Sequence, residues 1–186
     1  MSDLNKDGSP VTMLLAGGAG LLLGLLANPA RKLAVQAPTM LKGAWDEALA
    51  AEHKATLAVF DLAEKTSTAD TTRRSVHLMQ IKHMIGKHSF QEENVVYATM
   101  RQRGLLEQAQ HLNEDHGVVK QLLFELTMMA KDDARWLETV RKLRGALEEH
   151  MAEEENDHFP KLRAALSEQE NADLASAMNK EGLKLA

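Results

Sequence analysis

Two pairs of residues, His88 with Glu92 and His150 with Glu154, repeat the pattern His-x-x-x-Glu. On an α-helix a spacing of four puts both side chains on one face, one turn apart. Each pair lies on an apolar stripe: His88 with Ile81, Met84, Ile85 and Val95, and His150 with Leu143, Ala146 and Leu147. A carboxylate on a core-facing stripe is costly unless something compensates its charge. A bound cation does so. His53 and His116 sit on two further apolar stripes, the first with Leu49, Leu57 and Phe60, the second with Leu112, Val119 and Leu123. A lone histidine in such a place is more often a hydrogen-bonded core residue than a ligand. Four of them, one per helical stretch, favour the ligand reading.

The spacing is duplicated. His53 to His88 is 35 residues and His116 to His150 is 34; His53 to His116 is 63 and His88 to His150 is 62. The segment His88-Ser-Phe-Gln-Glu-Glu-Asn-Val-Val-Tyr97 aligns with His150-Met-Ala-Glu-Glu-Glu-Asn-Asp-His-Phe159. Such self-similarity marks a repeated structural unit. Here the unit is a helix hairpin giving one His from its first helix and His-x-x-x-Glu from its second. Two hairpins about a pseudo-twofold axis would aim four imidazoles and two carboxylates at one centre. Two carboxylates able to bridge, with imidazoles on either side, suit two divalent ions. Donor type alone leaves iron, zinc and manganese open.

The elements that must position these residues are helices. Long stretches are rich in Ala, Leu, Glu, Lys, Gln and Met, and after residue 43 the sole proline is Pro160. The first helix is expected at about 41–65 and the second from the turn at Thr66–Asp70 to about Arg103, before Gly104. The third covers about 105–130. Lys131-Asp132-Asp133 breaks it and can cap the fourth, which is expected to end near Pro160. Ser167 and Glu170 form a capping box for a short C-terminal helix. The fold class is therefore all-α, an up-down-up-down antiparallel four-helix bundle. The expected organisation is an N-terminal apolar segment and linker at 1–40, the bundle at 41–162 and a tail helix at 163–186.

Composition narrows the function. The 186 residues carry a net charge of −5 with both signs interspersed, which argues against a nucleic-acid partner. There is no cysteine, so disulfides, thiolate metal sites and cysteine catalysis are excluded. That absence suits a reducing cytoplasm, the expected location. Residues 11–27 are an uncharged run with seven leucines and four glycines. As a helix the run would span roughly 25 Å, slightly short of a hydrocarbon core. It is a candidate membrane anchor or self-association segment, and Gly20 with Gly24 would let two such helices pack closely. A secretory signal fits less well, because Asp3 and Asp7 precede the run.

The motifs Glu52-His53, His88-x-x-x-Glu92-Glu93, Asp115-His116 and His150-x-x-x-Glu154-Glu155 with Phe159-Pro160 resemble the hemerythrin-like family, the HHE cation-binding domain, over about residues 45–162. The resemblance implies a four-helix bundle with a non-haem centre of two iron ions, ferrous or ferric, joined by an oxo or hydroxo bridge. It implies iron ligands at His53, His88, His116 and His150 and bridging carboxylates at Glu92 and Glu154, with Glu155 as the alternative to Glu154. The ligand so implied is dioxygen or a related small oxidant such as peroxide or nitric oxide. Oxygen carriers of the family have a second histidine four residues from that on the third helix, where this chain has Leu112 and Lys120. The chain resembles the branch with one histidine per helix, which points to binding or sensing rather than oxygen carriage. Two other readings stay open: an oxidoreductase acting on peroxide or nitric oxide, and a structural or membrane-adaptor bundle with zinc or no metal.

The remaining features have plainer readings. His83 and His111 are expected at the surface, His77 too far away to share the site, and His158 near it without ligating. Met79, Met84, Met100, Met128, Met129 and Met151 read as core filler. Tyr97, nine residues after His88, reads as a core tyrosine, with a place near the site as the second reading. Gly86 and Gly117 are unusual inside helices and suggest close helix approach or a ligand channel.

Overall fold

A computed structural model describes residues 43–185. The segment 1–40, with the apolar run 11–27, lies outside the described residues. Helix α1 is Trp45–Glu64 and α2 is Thr71–Gln91. One wide turn, π1 at Glu92–Val96, leads without a break into α3 at Tyr97–Gln102. Helix α4 is Leu106–Met128 and α5 is Trp136–Glu153. A second wide turn, π2 at Glu154–His158, continues into α6 at Phe159–Ala164, and α7 is Glu168–Leu185. The four rods α1, α2–π1–α3, α4 and α5–π2–α6 form an antiparallel up-down-up-down bundle, and no strand occurs among the described residues.

Local chemistry sets the ends. Gly104 ends the second rod with a φ of 82°, a left-handed conformation that glycine adopts without penalty. The Asp70 carboxylate accepts from the Ser67 backbone and hydroxyl, both at 2.8 Å, closing the first loop. Lys131 donates to the carbonyls of Leu126 and Met129 at the end of α4, and Asp133 accepts from the Arg135 backbone at the start of α5. Buried Arg74 ties these loops together: it bonds Thr66 Oγ1 at 3.1 Å and the Lys131 carbonyl at 2.7 Å, and lies 4.7 Å from the Trp136 ring centroid. Ser167 and Glu170 form the expected capping box.

The apolar core comes in two parts. One is built on Trp45, Leu49, Val96, Met100, Leu112 and Phe159, the other on Phe60, Ile81, Leu126, Trp136, Val140 and Leu143. In α1, Leu49 belongs to the first and Phe60 to the second, with His53 between; in α4, Leu112 and Val119 flank His116 the same way. A buried polar layer thus divides the core. Helix α7 is part of this packing, since Leu174, Ala175 and Met178 complete the first cluster. Gln91 Nε2 donates to the Met178 carbonyl at 3.2 Å and Trp45 Nε1 to Asn171 Oδ1 at 2.8 Å.

Three expectations are corrected. The fourth rod does not end near Pro160 but runs to Ala164. The π2 turn directly before Pro160 shifts the hydrogen-bond register, so the ring avoids the clash it would make in an unbroken α-helix. Met79 and Met128 are 64% and 71% exposed, so they are surface residues rather than core filler. Close approach does not explain Gly86 or Gly117, because an added Cβ would meet no atom within 4 Å at either.

Candidate metal centre

The polar layer holds all six residues read from the sequence as metal ligands. Helix α1 supplies His53, α2 His88, α4 His116 and α5 His150; Glu92 opens π1 and Glu154 opens π2. Each is at most 7% exposed, and both carboxylates are fully buried. The imidazoles form two facing pairs. His53 Nε2 lies 2.8 Å from His88 Nε2, and His116 Nε2 lies 3.1 Å from His150 Nε2. Each carboxylate spans the two pairs. Glu92 Oε1 is 2.9 Å from His88 Nε2 and its Oε2 is 3.4 Å from His116 Nε2. Glu154 Oε2 is 3.5 Å from both His53 Nε2 and His150 Nε2. The six side chains close a ring in which every carboxylate touches one imidazole of each pair.

The outward nitrogens are as ordered as the inward ones. Glu155 Oε1 lies 2.7 Å from His53 Nδ1, Glu52 Oε2 3.1 Å from His88 Nδ1, Glu93 Oε1 2.9 Å from His116 Nδ1 and Asp115 Oδ2 3.4 Å from His150 Nδ1. A carboxylate accepting from Nδ1–H orients the ring and turns the Nε2 lone pair inward, the usual support for a metal-ligating histidine. The arrangement obeys the sequence repeat: the residue before His53 serves His88, and the residue before His116 serves His150. The residue after Glu92 serves His116, and the residue after Glu154 serves His53. Glu155 therefore lies on the outer side of an imidazole, while Glu154 points into the ring.

The electrostatics have the same shape. Burial pushes the His88 imidazole down, but the charges of Glu92 and Glu52 outweigh it and hold it well above the usual range. Burial opposes protonation of His116 too, yet contact with Glu92 and Glu93 raises it to about 9. Burial would raise Glu92, but His88 and His116 hold it well below the ordinary carboxylate range. Glu52 behaves alike: burial raises it, while His88 and Lys87 bring it down to about 2. The carboxylates around His88 and His116 thus favour positive charge on either side of Glu92, the place where cations would sit.

The residues fit a metal pair. Both Glu92 oxygens and Glu154 Oε2 are buried without a satisfactory hydrogen bond, an expensive state that coordination would relieve. Two donor groups lie within one ion's reach of each other: His53, His88, Glu92 and Glu154, and Glu92, His116 and His150. Glu92 belongs to both.

Sequence reasoning missed two things. The outer carboxylates carried a signal, since Glu52-His53 and Asp115-His116, and Glu92-Glu93 and Glu154-Glu155, recur at the repeat spacing. Tyr97 carried none at α-helical periodicity. Its hydroxyl reaches the ring, donating to Glu154 Oε1 at 2.7 Å and lying 3.2 Å from His116 Nε2 and 3.5 Å from His150 Nε2. The π1 turn accounts for this. Five residues after Glu92, a regular α-helix would set Tyr97 about 140° away, and the wider turn brings it back. The other histidines are peripheral. His83 is exposed, His111 is 52% exposed beside Glu153, and His77 contacts Gln80. His158 is buried with Asp157 at 3.3 Å and does not join the ring.

A helical bundle with a buried layer of histidines and carboxylates defines a cation-binding class, and comparison with known proteins names it. The hemerythrin HHE cation-binding domain matches residues 46–162, and the chain belongs to that family. An uncharacterized hemerythrin-like protein of Schizosaccharomyces pombe is 29% identical over 100 residues, covering 52% of this chain and 49% of its own length. The chain thus spans about half the length of that curated relative. No solved structure gives a significant match.

Proposed function

We propose that the chain holds two iron ions and binds or senses dioxygen or a related small oxidant, such as peroxide or nitric oxide. One ion would lie between His53 and His88 and the other between His116 and His150, with Glu92 and Glu154 as shared ligands. The observation that carries this reading is the closed ring of four inward Nε2 atoms and two carboxylates with unsatisfied oxygens. When bound, a pair of irons would supply reversible electron exchange with a small oxygen or nitrogen ligand. The chain's own residues do the rest. The outer carboxylates fix the imidazoles, the two apolar clusters exclude water, and buried Tyr97 places a hydroxyl among the site atoms. Iron is favoured over zinc by family membership.

Metal analysis of the purified protein, with absorption spectra in air and after reduction, tests the proposal. It expects about two irons per chain and a visible spectrum that bleaches on reduction. Full occupancy by zinc, or metal-free protein that takes up no iron, would sink it. The same proposal places the chain in the cytoplasm, with residues 11–27 as a membrane or self-association segment. Its support is their uncharged, leucine-rich composition. Among the described residues no helix is long and apolar enough to cross a membrane. Removing residues 1–40 should release the protein from a membrane fraction or reduce its assembly, with metal content unchanged.

A further inference from the structure

The repeat that builds the centre differs in the aromatic side chain it sets against the imidazoles. Tyr97 aligns with Phe159, so the two halves present different groups at equivalent places. Phe159 packs over His53 with ring centroids 6.4 Å apart and planes within 19°, and brings no donor. Tyr97 lies against His116, centroids 5.4 Å apart, and its oxygen stands within 3.5 Å of both His116 Nε2 and His150 Nε2. The donor count differs in the opposite sense. The His53 and His88 side gathers two imidazoles and both carboxylates, while the His116 and His150 side gathers two imidazoles and Glu92, with Glu154 Oε2 reaching His150 Nε2 at 3.5 Å. On that second side Glu154 Oε1 is engaged by the Tyr97 hydroxyl at 2.7 Å. Tyr97 therefore stands beside the half with the smaller donor group.

We infer that the Tyr97 oxygen is a ligand of the ion held by His116 and His150, which makes the two metal positions chemically unequal. This rests on the two-metal reading above. The phenol is fully buried and donates a hydrogen bond to Glu154 Oε1 at 2.7 Å. With a ferric ion held by His116 and His150, the phenol oxygen would serve as its ligand in the phenolate form, its proton being released to the buffer. Among the described residues no phenol stands beside His53 and His88, where the equivalent side chain is Phe159.

The test uses the full chain, freed of metal, reloaded with ferrous iron without oxygen and oxidised with ferricyanide. Iron content, absorption and resonance Raman spectra are recorded for wild type and Tyr97→Phe, with circular dichroism to check that both are folded. The expected wild-type result is a visible charge-transfer band whose Raman excitation enhances phenolate ring modes. Tyr97→Phe should lose that band while retaining helicity, and should bind its second iron roughly tenfold more weakly. Should the variant fail to fold, the wild-type Raman spectrum decides alone. Two bound irons without phenolate modes overturn the assignment of Tyr97 and leave the two-metal reading standing. A chain that binds no iron overturns both.

Discussion

Glu92→Gln keeps the shape of the side chain and removes the charge that faces both His88 and His116. In the metal-free protein the loss can be sized. A pair of unit charges about 4 Å apart interacts by about 4 kcal/mol at an effective dielectric constant near 20, before desolvation. Burial lowers the His116 pKa and its carboxylate contacts raise it, for a net rise from 6.5 to about 9. That rise is worth about 3 kcal/mol. Glu93 shares in it, so the Glu92 part is about 2 kcal/mol, and His88 loses its contact with Glu92 as well. The variant should therefore be less stable by at least about 2 kcal/mol at pH 6, since removing one partner leaves buried charge uncompensated. For a chain of this size that lowers Tm by at least roughly 4–8 °C. The sign with pH follows from linkage. A histidine whose pKa rises on folding stabilises the folded chain fully below about 6.5, and that contribution disappears as pH rises through about 9. The deficit of Glu92→Gln should be largest near pH 6 and shrink toward pH 9. In iron titrations the variant should no longer take up two ions at wild-type affinity, because an amide cannot serve two cations as a carboxylate does. Thermal melts of metal-free protein across pH 6–9, with parallel titrations, check both parts. A deficit that grows with pH would refute the charge pairing, and unaltered uptake of two ions would refute the bridge.

Metal uptake near pH 7 should release about two protons per chain, one each from the His88 and His116 sides, measurable with an indicator dye in weak buffer. Release near zero would contradict the cationic state of those imidazoles. Arg74→Met should cost about 2–4 kcal/mol by orphaning the Lys131 carbonyl and losing the Trp136 contact, yet leave metal stoichiometry unchanged. Denaturant melts with metal analysis separate the two effects. Gly86→Ala should stabilise the chain by about 0.5–1 kcal/mol, since the helical backbone accepts alanine and the new Cβ meets open space. A lower Tm would show that this position needs its glycine.

The bundle was legible because its signals agree. Leu49, His53, Phe60 and their counterparts hold one helical stripe, Gly104 and Asp133 mark turns, and the duplicated His-x-x-x-Glu sets which faces meet. All six inner residues follow from that periodicity. What was not legible depends on departures from it. The π1 and π2 turns each insert a wider turn immediately at the carboxylate, and no residue type announces them. They carry Tyr97 back into the site and let the fourth rod pass Pro160. The outer carboxylates were visible as repeated acidic neighbours, but their roles cross between helices. Glu52 serves His88 rather than adjacent His53, and only the packing of α1 on α2 decides that. Met79 and Met128 show the converse: an apolar side chain at a helix surface is ordinary, and composition cannot tell it from core.

Anomalous diffraction at the iron absorption edge, from crystals of the iron-loaded chain, tests the central claim most directly. The account predicts two peaks inside the ring. One should lie between His53 and His88 and the other between His116 and His150, both in contact with Glu92. A single peak, or peaks outside the layer between the two apolar clusters, would contradict it.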